Sequence, residues 1–480
     1  MRELVPRHAL VPLIVASALF METLDSTVLA TALPTIARAF GEEPVRLNLA
    51  ITSYLFALAV FIPISGWVAD RFGARRIFRL AIVVFTVGSI CCGLSQTLTE
   101  LVLARILQGI GGAMMVPVGR LVLLRSVEKS ELVSAMTYLT VPALIGPMIG
   151  PPLGGFITTY LSWRWVFWIN LPIGVLGVWL VTRYIADIRE ERPPPLDFFG
   201  FILSGVGLMG LVIGFELIGR DILPTGTVLI FFAVGTMTLI AFAFHARRHA
   251  HPALDLTLLR ILTFRSAIAG GFLLRIGIGA VPFLLPLMLQ LGFGLSAFHS
   301  GLLTFVAAAG ALLMKVTAAP ILRRFGFRRV LLGNAILCGA MLASYGFFRP
   351  DTPAWLLMSV LLVSGYFRSL QFTGVNTICY ADIPRERMSM ATSFASMAQQ
   401  LSLSIGVGAG ALLLHLTVSA RGSTEPQATD FTPAFVILGA ISACAFFAHL
   451  PLTRDSGAEM LGPRATPSRA AALAVVRDNK

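Results

Sequence analysis

The sequence predicts an all-α integral membrane protein of fourteen transmembrane helices, and three observations carry that expectation. Hydrophobic residues make up 56% of the 480 and charged residues only 13%, whereas a soluble chain of this size keeps roughly a quarter of its residues charged. Most of the surface therefore faces something other than water. The apolar residues gather into runs of about 20, the length at which a helix crosses the hydrocarbon of a bilayer. Basic residues collect in alternate gaps between those runs, the pattern of the positive-inside rule.

In chain order the spans fall near 9–33, 50–69, 78–97, 100–122, 133–158, 164–185, 198–218, 226–245, 267–290, 300–321, 330–349, 354–377, 390–417 and 432–452. The first follows Arg2 and Arg7 and superficially resembles a signal peptide. Glu22 and Asp25 interrupt it, and similar runs continue to the C-terminus, so it reads as an uncleaved first span. With both termini inside, 27 of the 37 Lys and Arg residues fall in inside segments. The inside set includes Arg71, Arg75, Arg76 and Arg79, then Arg120, Arg125 and Lys129, and also Arg189 and Arg192. Six lie outside (Arg38, Arg46, Arg164, Arg220, Arg349 and Arg421), and four lie within spans (Arg105, Arg275, Lys315 and Arg368). A missed span would scramble this alternation at that point, so the count supports fourteen spans.

The net charge of +13 would suggest nucleic acid in a soluble chain. Here the basic residues sit in short loops rather than on one polar face, so no nucleic-acid partner is expected. Of the five cysteines (Cys91, Cys92, Cys338, Cys379 and Cys444), all but Cys379 lie inside apolar runs, with neither metal spacing nor a disulfide framework. His245 and His249 are one helical turn apart, but Arg247 and Arg248 lie between them and repel a cation. With His251 they read as basic residues closing span 8, and no metal is expected.

The loop after span 2 runs Gly66-Trp67-Val68-Ala69-Asp70-Arg71-Phe72-Gly73-Ala74-Arg75-Arg76, and the loop after span 10 runs Ala319-Pro320-Ile321-Leu322-Arg323-Arg324-Phe325-Gly326-Phe327-Arg328-Arg329. Aligned on Gly73 and Gly326, the Arg-Phe-Gly core and the Arg-Arg pair coincide. A duplicated six-span unit with two spans inserted between the copies puts spans 2 and 10 in register. Such repeats are a hallmark of secondary transporters, whose substrate sites lie between the halves.

On these residues the chain resembles the major facilitator superfamily, specifically its fourteen-span drug:proton antiporters. The first loop is similar to the family signature G-x-L-a-D-r-x-G-r-r, with Val68 in place of Leu; the second copy has Arg323 where Asp70 stands. Leu24-Asp25-Ser26-Thr27-Val28 and Ala32-Leu33-Pro34 resemble the first-helix motif, and Arg105-Ile106-Leu107-Gln108-Gly109 resembles the R-x-x-q-G motif of span 4. Gly146-Pro147-Met148-Ile149-Gly150-Pro151-Pro152-Leu153-Gly154-Gly155 resembles the antiporter motif of span 5, with Thr137 where an earlier glycine is usual. Trp163-Arg164-Trp165-Val166-Phe167 and Asn170-Leu171-Pro172-Ile173-Gly174 look like the sixth-span signature, and Gly112-Ala113-Met114-Met115-Val116-Pro117-Val118-Gly119-Arg120 is similar to the MdtD-type branch. The resemblance implies a major facilitator fold of two six-helix bundles plus two inserted helices. It also implies multidrug-efflux-type export across the inner membrane, with the proton gradient as energy source and no cofactor.

The same resemblance implies a conformational lock at Gly66, Asp70, Arg71, Gly73 and Arg75. Topology-setting charge explains the arginines equally well, but not Asp70. Gly146, Gly150 and Gly154 recur at small-xxx-small spacing, which lets two helix backbones approach closely. Pro151 and its neighbours bend the helix and free carbonyls, and Gly155 completes the antiporter motif.

Ionisable residues within spans must face a cavity or a partner. Glu22 and Asp25 share one face of span 1, and Arg105 lies at comparable depth in span 4. Asp25 is the leading proton carrier, with Arg105 as its coupling partner. A static Asp25–Arg105 brace is the competing reading, and Glu22 could carry the proton instead. Arg275 and Arg368 lie deep in spans 9 and 12, while Lys315 in span 10 is nearer the inside. No Asp or Glu falls within spans 9–14. These three cations point to a substrate carrying negative charge, an organic acid or a metal–carboxylate complex, or else to a gate that pairs them with Glu22 and Asp25.

The expected organisation is an N-terminal bundle over 1–185, two inserted helices with their loops over 186–265, a C-terminal bundle over 266–452, and a disordered cytoplasmic tail over 453–480. The partners expected are the lipid bilayer, a small-molecule substrate and protons, with the chain a monomer. Proton-coupled uptake of an anionic metabolite is the alternative direction. A membrane sensor or an intramembrane enzyme is the alternative class; His415 is the only histidine well inside a span and has no acid in its half, so no enzyme is expected.

Overall fold

The computed structural model describes residues 7–42, 46–186, 195–218, 223–423 and 426–461. Arg2, Arg189, Arg192, Arg220 and the basic tail beyond 461, all counted above, lie outside the described residues. The chain is helical nearly throughout, as a bilayer requires of a chain that must satisfy its own backbone hydrogen bonds. In order the helices are α1 (Arg7–Phe40), α2 (Asn48–Phe61), α3 (Ser65–Phe72), α4 (Ala74–Leu94), α5 (Leu98–Ser126), α6 (Leu132–Tyr160), α7 (Trp165–Trp168) and α8 (Asn170–Tyr184). Then come α9 (Phe198–Leu217), α10 (Thr225–Arg248), α11 (Leu262–Leu287), α12 (Ala297–Ser344), α13 (Ala354–Ile378), α14 (Met388–Ala420), α15 (Phe431–Ala443) and α16 (Ala445–His449).

Among the described residues, 12 helical stretches are long and apolar enough to cross a membrane. One of them, His299–Phe347, is 49 residues long and joins the two runs expected near 300–321 and 330–349. It is broken at Gly326, whose φ of 76° is non-helical. Gly73, at the join of α3 and α4, has φ 93°. Both aligned glycines therefore turn the chain in a region that a side chain disfavours, which gives the repeated loops the same local structure. The charge-free α6, 29 residues long, spans the run expected near 133–158.

Polar groups mark where helices start. Thr97 caps α5 by accepting from the Glu100 amide at 3.2 Å, and the Glu100 side chain accepts from the Gln96 amide just before the cap at 2.7 Å. Asp197 caps α9 through the Gly200 amide at 2.9 Å.

In the first half α1 packs along α6, α5 along α2 and α4, and α4 along α8; in the second, α12 packs along α13 and α15, and α11 along α14 and α15. The inserted α9 and α10 pair with each other, and α9 touches both α2 and α14. Leu229, Ile230, Met237 and Phe244 on α10 are exposed, a face suited to lipid.

Apolar packing differs between the two ends of the bundle. At the end carrying the basic loops, one continuous core joins both halves, including Val15, Phe78 and Leu121 of the first and Phe264, Phe327 and Phe394 of the second. At the opposite end there are two separate cores. One holds Leu24, Val28 and Phe167 of the first half, the other Leu284, Tyr345 and Phe435 of the second. The halves meet on the basic side and part on the other.

The start of the supposed tail is ordered. Ala458–Leu461 forms a helical turn, Met460 and Leu461 join the basic-side core, and Glu459 accepts from Lys129 of the first half at 3.2 Å. The expectation of disorder from 453 onward is corrected for residues 453–461, because their apolar side chains find a surface to cover.

Candidate functional site

Asp25 of α1 lies at the centre of a buried polar network drawn from five helices. Arg105 of α5 donates to Asp25 Oδ2 at 2.6 Å, while Gln108 and Asn170 each donate to Oδ1 at 2.8 Å. Asp25, Arg105, Gln108 and Asn170 are all at most 1% exposed. Arg105 also donates to the Ala50 carbonyl of α2 at 3.1 Å and to Gln108 Oε1 at 2.6 Å, and its guanidinium stacks 4.3 Å from the Tyr54 ring. Asn170 donates to Ser89 of α4 at 2.9 Å. A buried charge pair is tolerable only when its remaining hydrogen-bonding capacity is met, and here donors from α5 and α8 converge on the carboxylate.

Glu22, one turn before Asp25, is placed differently. It is half-buried. Its Oε1 accepts from the Tyr54 hydroxyl at 3.1 Å, and its Oε2 has no hydrogen-bond partner among the described residues. The structure therefore divides the two acids expected on one face: Asp25 is saturated, and Glu22 is not.

Gln108, Asn170, Ser89 and Tyr54 had no role assigned from sequence. Gln108 sits three residues after Arg105, so it shares a helix face with it, which is a readable signal. Asn170 and Ser89 reach the site only through tertiary packing.

The span 5 glycines pack against α1. A methyl group on Gly146, Gly150 or Gly154 would lie 2.4, 2.1 or 2.1 Å from the hydroxyl oxygens of Thr23, Thr27 and Thr31 respectively. Three glycines at every fourth position thus meet three threonines at every fourth position. Gly155 has nothing within 4 Å of such a methyl, so it stands outside this contact. The Pro151 side chain lies outside the described residues.

On the basic side Asp70 accepts from Arg125 of α5 at 3.0 Å and from the Ser389 hydroxyl of α14, so it bridges the halves. Gly66 permits this approach: a methyl there would lie 2.6 Å from the Ser389 carbonyl oxygen. Ser65 and Ser393 add a cross-half bond at 2.9 Å. The lock residues expected beside Asp70 need correction. Arg71 is exposed, and Arg75 donates to the Thr182 carbonyl within its own half. Arg125, in the last turn of α5, supplies a charge that Asp70 meets.

The three deep cations of the second half also divide. Arg275 donates to Asn376 at 2.9 Å, lies over the Phe372 ring, and leaves its Nε buried without a partner. Lys315 donates to Thr373 at 2.7 Å. Both therefore lie against α13 with neutral partners. Arg368 instead lines a small internal pocket with Leu274, Cys338, Tyr345 and Ser442. No hydrogen bond joins the three among the described residues: Arg275 and Lys315 bond Asn376 and Thr373, whereas Arg368 faces the pocket. None of the three is paired with Glu22 or Asp25 in this arrangement, since Asp25 is taken by Arg105 and Glu22 by Tyr54.

Asp197, His245 and His249 bring ligand-capable atoms within 4.8 Å of one another. Asp197 accepts from Gly200, from the Ala253 amide at 3.0 Å and from the His245 ring at 2.8 Å. Burial alone would raise its carboxyl, and these bonds outweigh it, holding the group below the usual carboxylate range. The cluster clips α9, α10 and the following loop together.

The sequence profile of the Major Facilitator Superfamily matches residues 15–406 and 267–479. The chain is 39% identical over 418 residues to a protein of Pectobacterium atrosepticum named for multidrug resistance, MdtD, covering 87% of this chain and 89% of that one. It is 40% identical over 419 residues to the MdtD of Escherichia coli strain K12, covering 87% and 88%. Among solved structures, the human organic anion transporter MFSD10 is similar at TM-score 0.68 and 15% identity, covering 93% of this chain and 100% of that one. The proton:xylose symporter XylE is similar at TM-score 0.62 and 15% identity, covering 95% and 98%. With an all-helical bundle, a multi-pass pattern of apolar spans and profile matches over most of its length, this chain belongs to the Major Facilitator Superfamily, a family of membrane transporters.

Proposed function

We propose that this chain exports small molecules across the cytoplasmic membrane by proton-coupled alternating access, and that Glu22 carries the proton while Asp25 braces the bundle. The observation that carries this reading is the contrast between the two acids. Asp25 is held by Arg105, Gln108 and Asn170, whereas Glu22 keeps one buried oxygen without a partner. A half-buried carboxylate with spare capacity can gain and lose a proton as access changes, and a saturated one resists it. The relatives' name supports export of foreign compounds.

Fourteen spans with both termini cytoplasmic is the topology that fits, counting α6 and the two segments of the long helix broken at Gly326. The substrate class is anionic, an organic acid or a metal–carboxylate complex, because Arg275 and Lys315 are buried with neutral partners. The working unit is a monomer, driven by the proton gradient without a cofactor or chemical conversion.

Transport in proteoliposomes under an imposed pH gradient, comparing citrate with a cationic dye, tests this. Loss of pH-driven movement in Glu22→Gln with the fold intact is the expected result. Undiminished proton-driven transport in that variant would reject Glu22 as the carrier.

A further inference from the structure

After its last span the chain continues Leu452-Thr453-Arg454-Asp455-Ser456-Gly457-Ala458-Glu459-Met460-Leu461, a polar run with large apolar residues only at its two ends. Its placement follows that division. Leu452, Met460 and Leu461 are buried at 2%, 1% and 8%, while Thr453, Arg454, Asp455, Ala458 and Glu459 are exposed. Local bonds shape the middle: the Thr453 amide donates to Ser456 Oγ at 3.0 Å, and the Ala458 amide donates to the Asp455 carbonyl at 3.0 Å. Gly457 then takes φ 73°, and a methyl on it would lie 2.8 Å from the Phe327 ring. Backbone and packing both demand glycine there.

On the basic side the halves meet along two seams, α3 and α5 against α14, and α6 against α12 and α13. Asp70 and Ser389 tie the first. The run 452–461 crosses the second. Gly457 rests against Phe327 of α12 and Ile378 of α13, both in the second half. The turn Ala458–Leu461 packs against α6 and the turn Lys129–Glu131 of the first half, where Lys129 donates to Glu459 at 3.2 Å. With side-chain exposures of 50% and 78%, that ion pair is screened and contributes little. The hold comes from Met460 and Leu461, which join the core shared by both halves.

Reach decides what happens when that core parts. Three residue steps separate Gly457 from Met460, and fully extended they span about 10 Å. A seam that opens wider than this must pull one end of the run away from its half, and the apolar anchors lose their cover. A segment that holds both halves in one state and only one half in the other favours the first state by the difference in its binding. We propose that residues 453–461 form a strap that docks across the α6–α12 seam while the basic side is closed, and that undocking of the strap is coupled to opening. The strap acts whichever acid carries the proton and whatever the substrate is.

Spin labels attached to p-acetylphenylalanine at positions 126 and 324, one exposed site on each half, report the width of the seam in full-length protein in nanodiscs. Met460→Ser combined with Leu461→Ser should raise the ratio of open to closed protein roughly tenfold or more. Glu459→Gln, which removes only the exposed pair, should raise it no more than about fivefold. An unchanged ratio in the doubly substituted protein, or a larger effect from Glu459→Gln, overturns the strap. A second measurement leaves the apolar anchors intact. Lys129→Cys and Glu459→Cys in a cysteine-free background should be joined readily by a short bifunctional thiol reagent. Gly66→Phe forces a bulky ring toward the Ser389 carbonyl and wedges the first seam apart. Once the labels show that this protein is open, cross-linking should fall at least tenfold, and undiminished cross-linking in it overturns the coupling.

Discussion

Gly150 of α6 sits so close to Thr27 of α1 that a methyl group on the glycine would lie 2.1 Å from the threonine hydroxyl oxygen. The threonine can turn away from a methyl, but it cannot make room for a branched side chain. Gly150→Val is therefore expected to force the two helices apart at a cost of about 1–3 kcal/mol, and to slow transport at least several-fold. Gly155→Ala, which meets nothing within 4 Å, should transport like the parent. Initial transport rates, with melting temperature as a control for folding, check both.

Asp25→Asn leaves Arg105 buried without its counter-charge. Breaking a buried pair from one side costs about 3–5 kcal/mol, so this variant should melt well below the parent. Glu22→Gln, which removes no ion pair, should melt close to it. Thermal unfolding in nanodiscs separates the two acids, and equal melting of the two variants would contradict the division of roles.

Both expectations bear on how much was readable before the fold. The spans, the repeated loop and the pairing of Asp25 with Arg105 follow from hydrophobic run length, local motif and the cost of charge in hydrocarbon, all properties of short stretches. The small-residue ladder of α6 was readable for the same reason, but its threonine partners on α1 were not, because only packing shows which face of one helix meets another. Arg71 was named from the family motif, and a motif does not show which of its charges meets Asp70. A helix turns about 100° per residue, so the neighbour in sequence points away and Arg125 from α5 takes its place. Arg368 was grouped with Arg275 and Lys315 as a cation within a span, and that shared property does not show which side chains each one meets.

Asp70 and Ser389 hold the halves together on the basic side. Ser389→Ala removes the hydroxyl donor and leaves Asp70 with Arg125, so the closed state should lose about 1–3 kcal/mol. Cysteine accessibility at seam positions such as Val118 or Ala395 should rise accordingly. Unchanged accessibility would assign the closure to apolar packing alone.

Asp197 supplies a pH prediction. Its folded carboxyl lies below the ordinary value, so its contribution to stability is present above the unfolded pKa of about 3.9 and is lost as pH falls through the lower folded value. The clip on α9 and the Ala253 loop should therefore hold throughout the neutral range and loosen only below about pH 4. Hydrogen exchange at the Gly200 and Ala253 amides against pH reads this directly. Asp197→Asn, which keeps a capping oxygen, should cost less there than Asp197→Ala.

The single apolar mass on the basic side, set against two separate masses on the other, gives the conformational cycle a thermal signature. Opening the basic side moves buried hydrocarbon into contact with water, and such exposure raises heat capacity. The balance between the two states should then bend with temperature instead of following a straight van't Hoff line. Because burial weakens on cooling, a chilled membrane should shift the resting protein toward opening on its basic side.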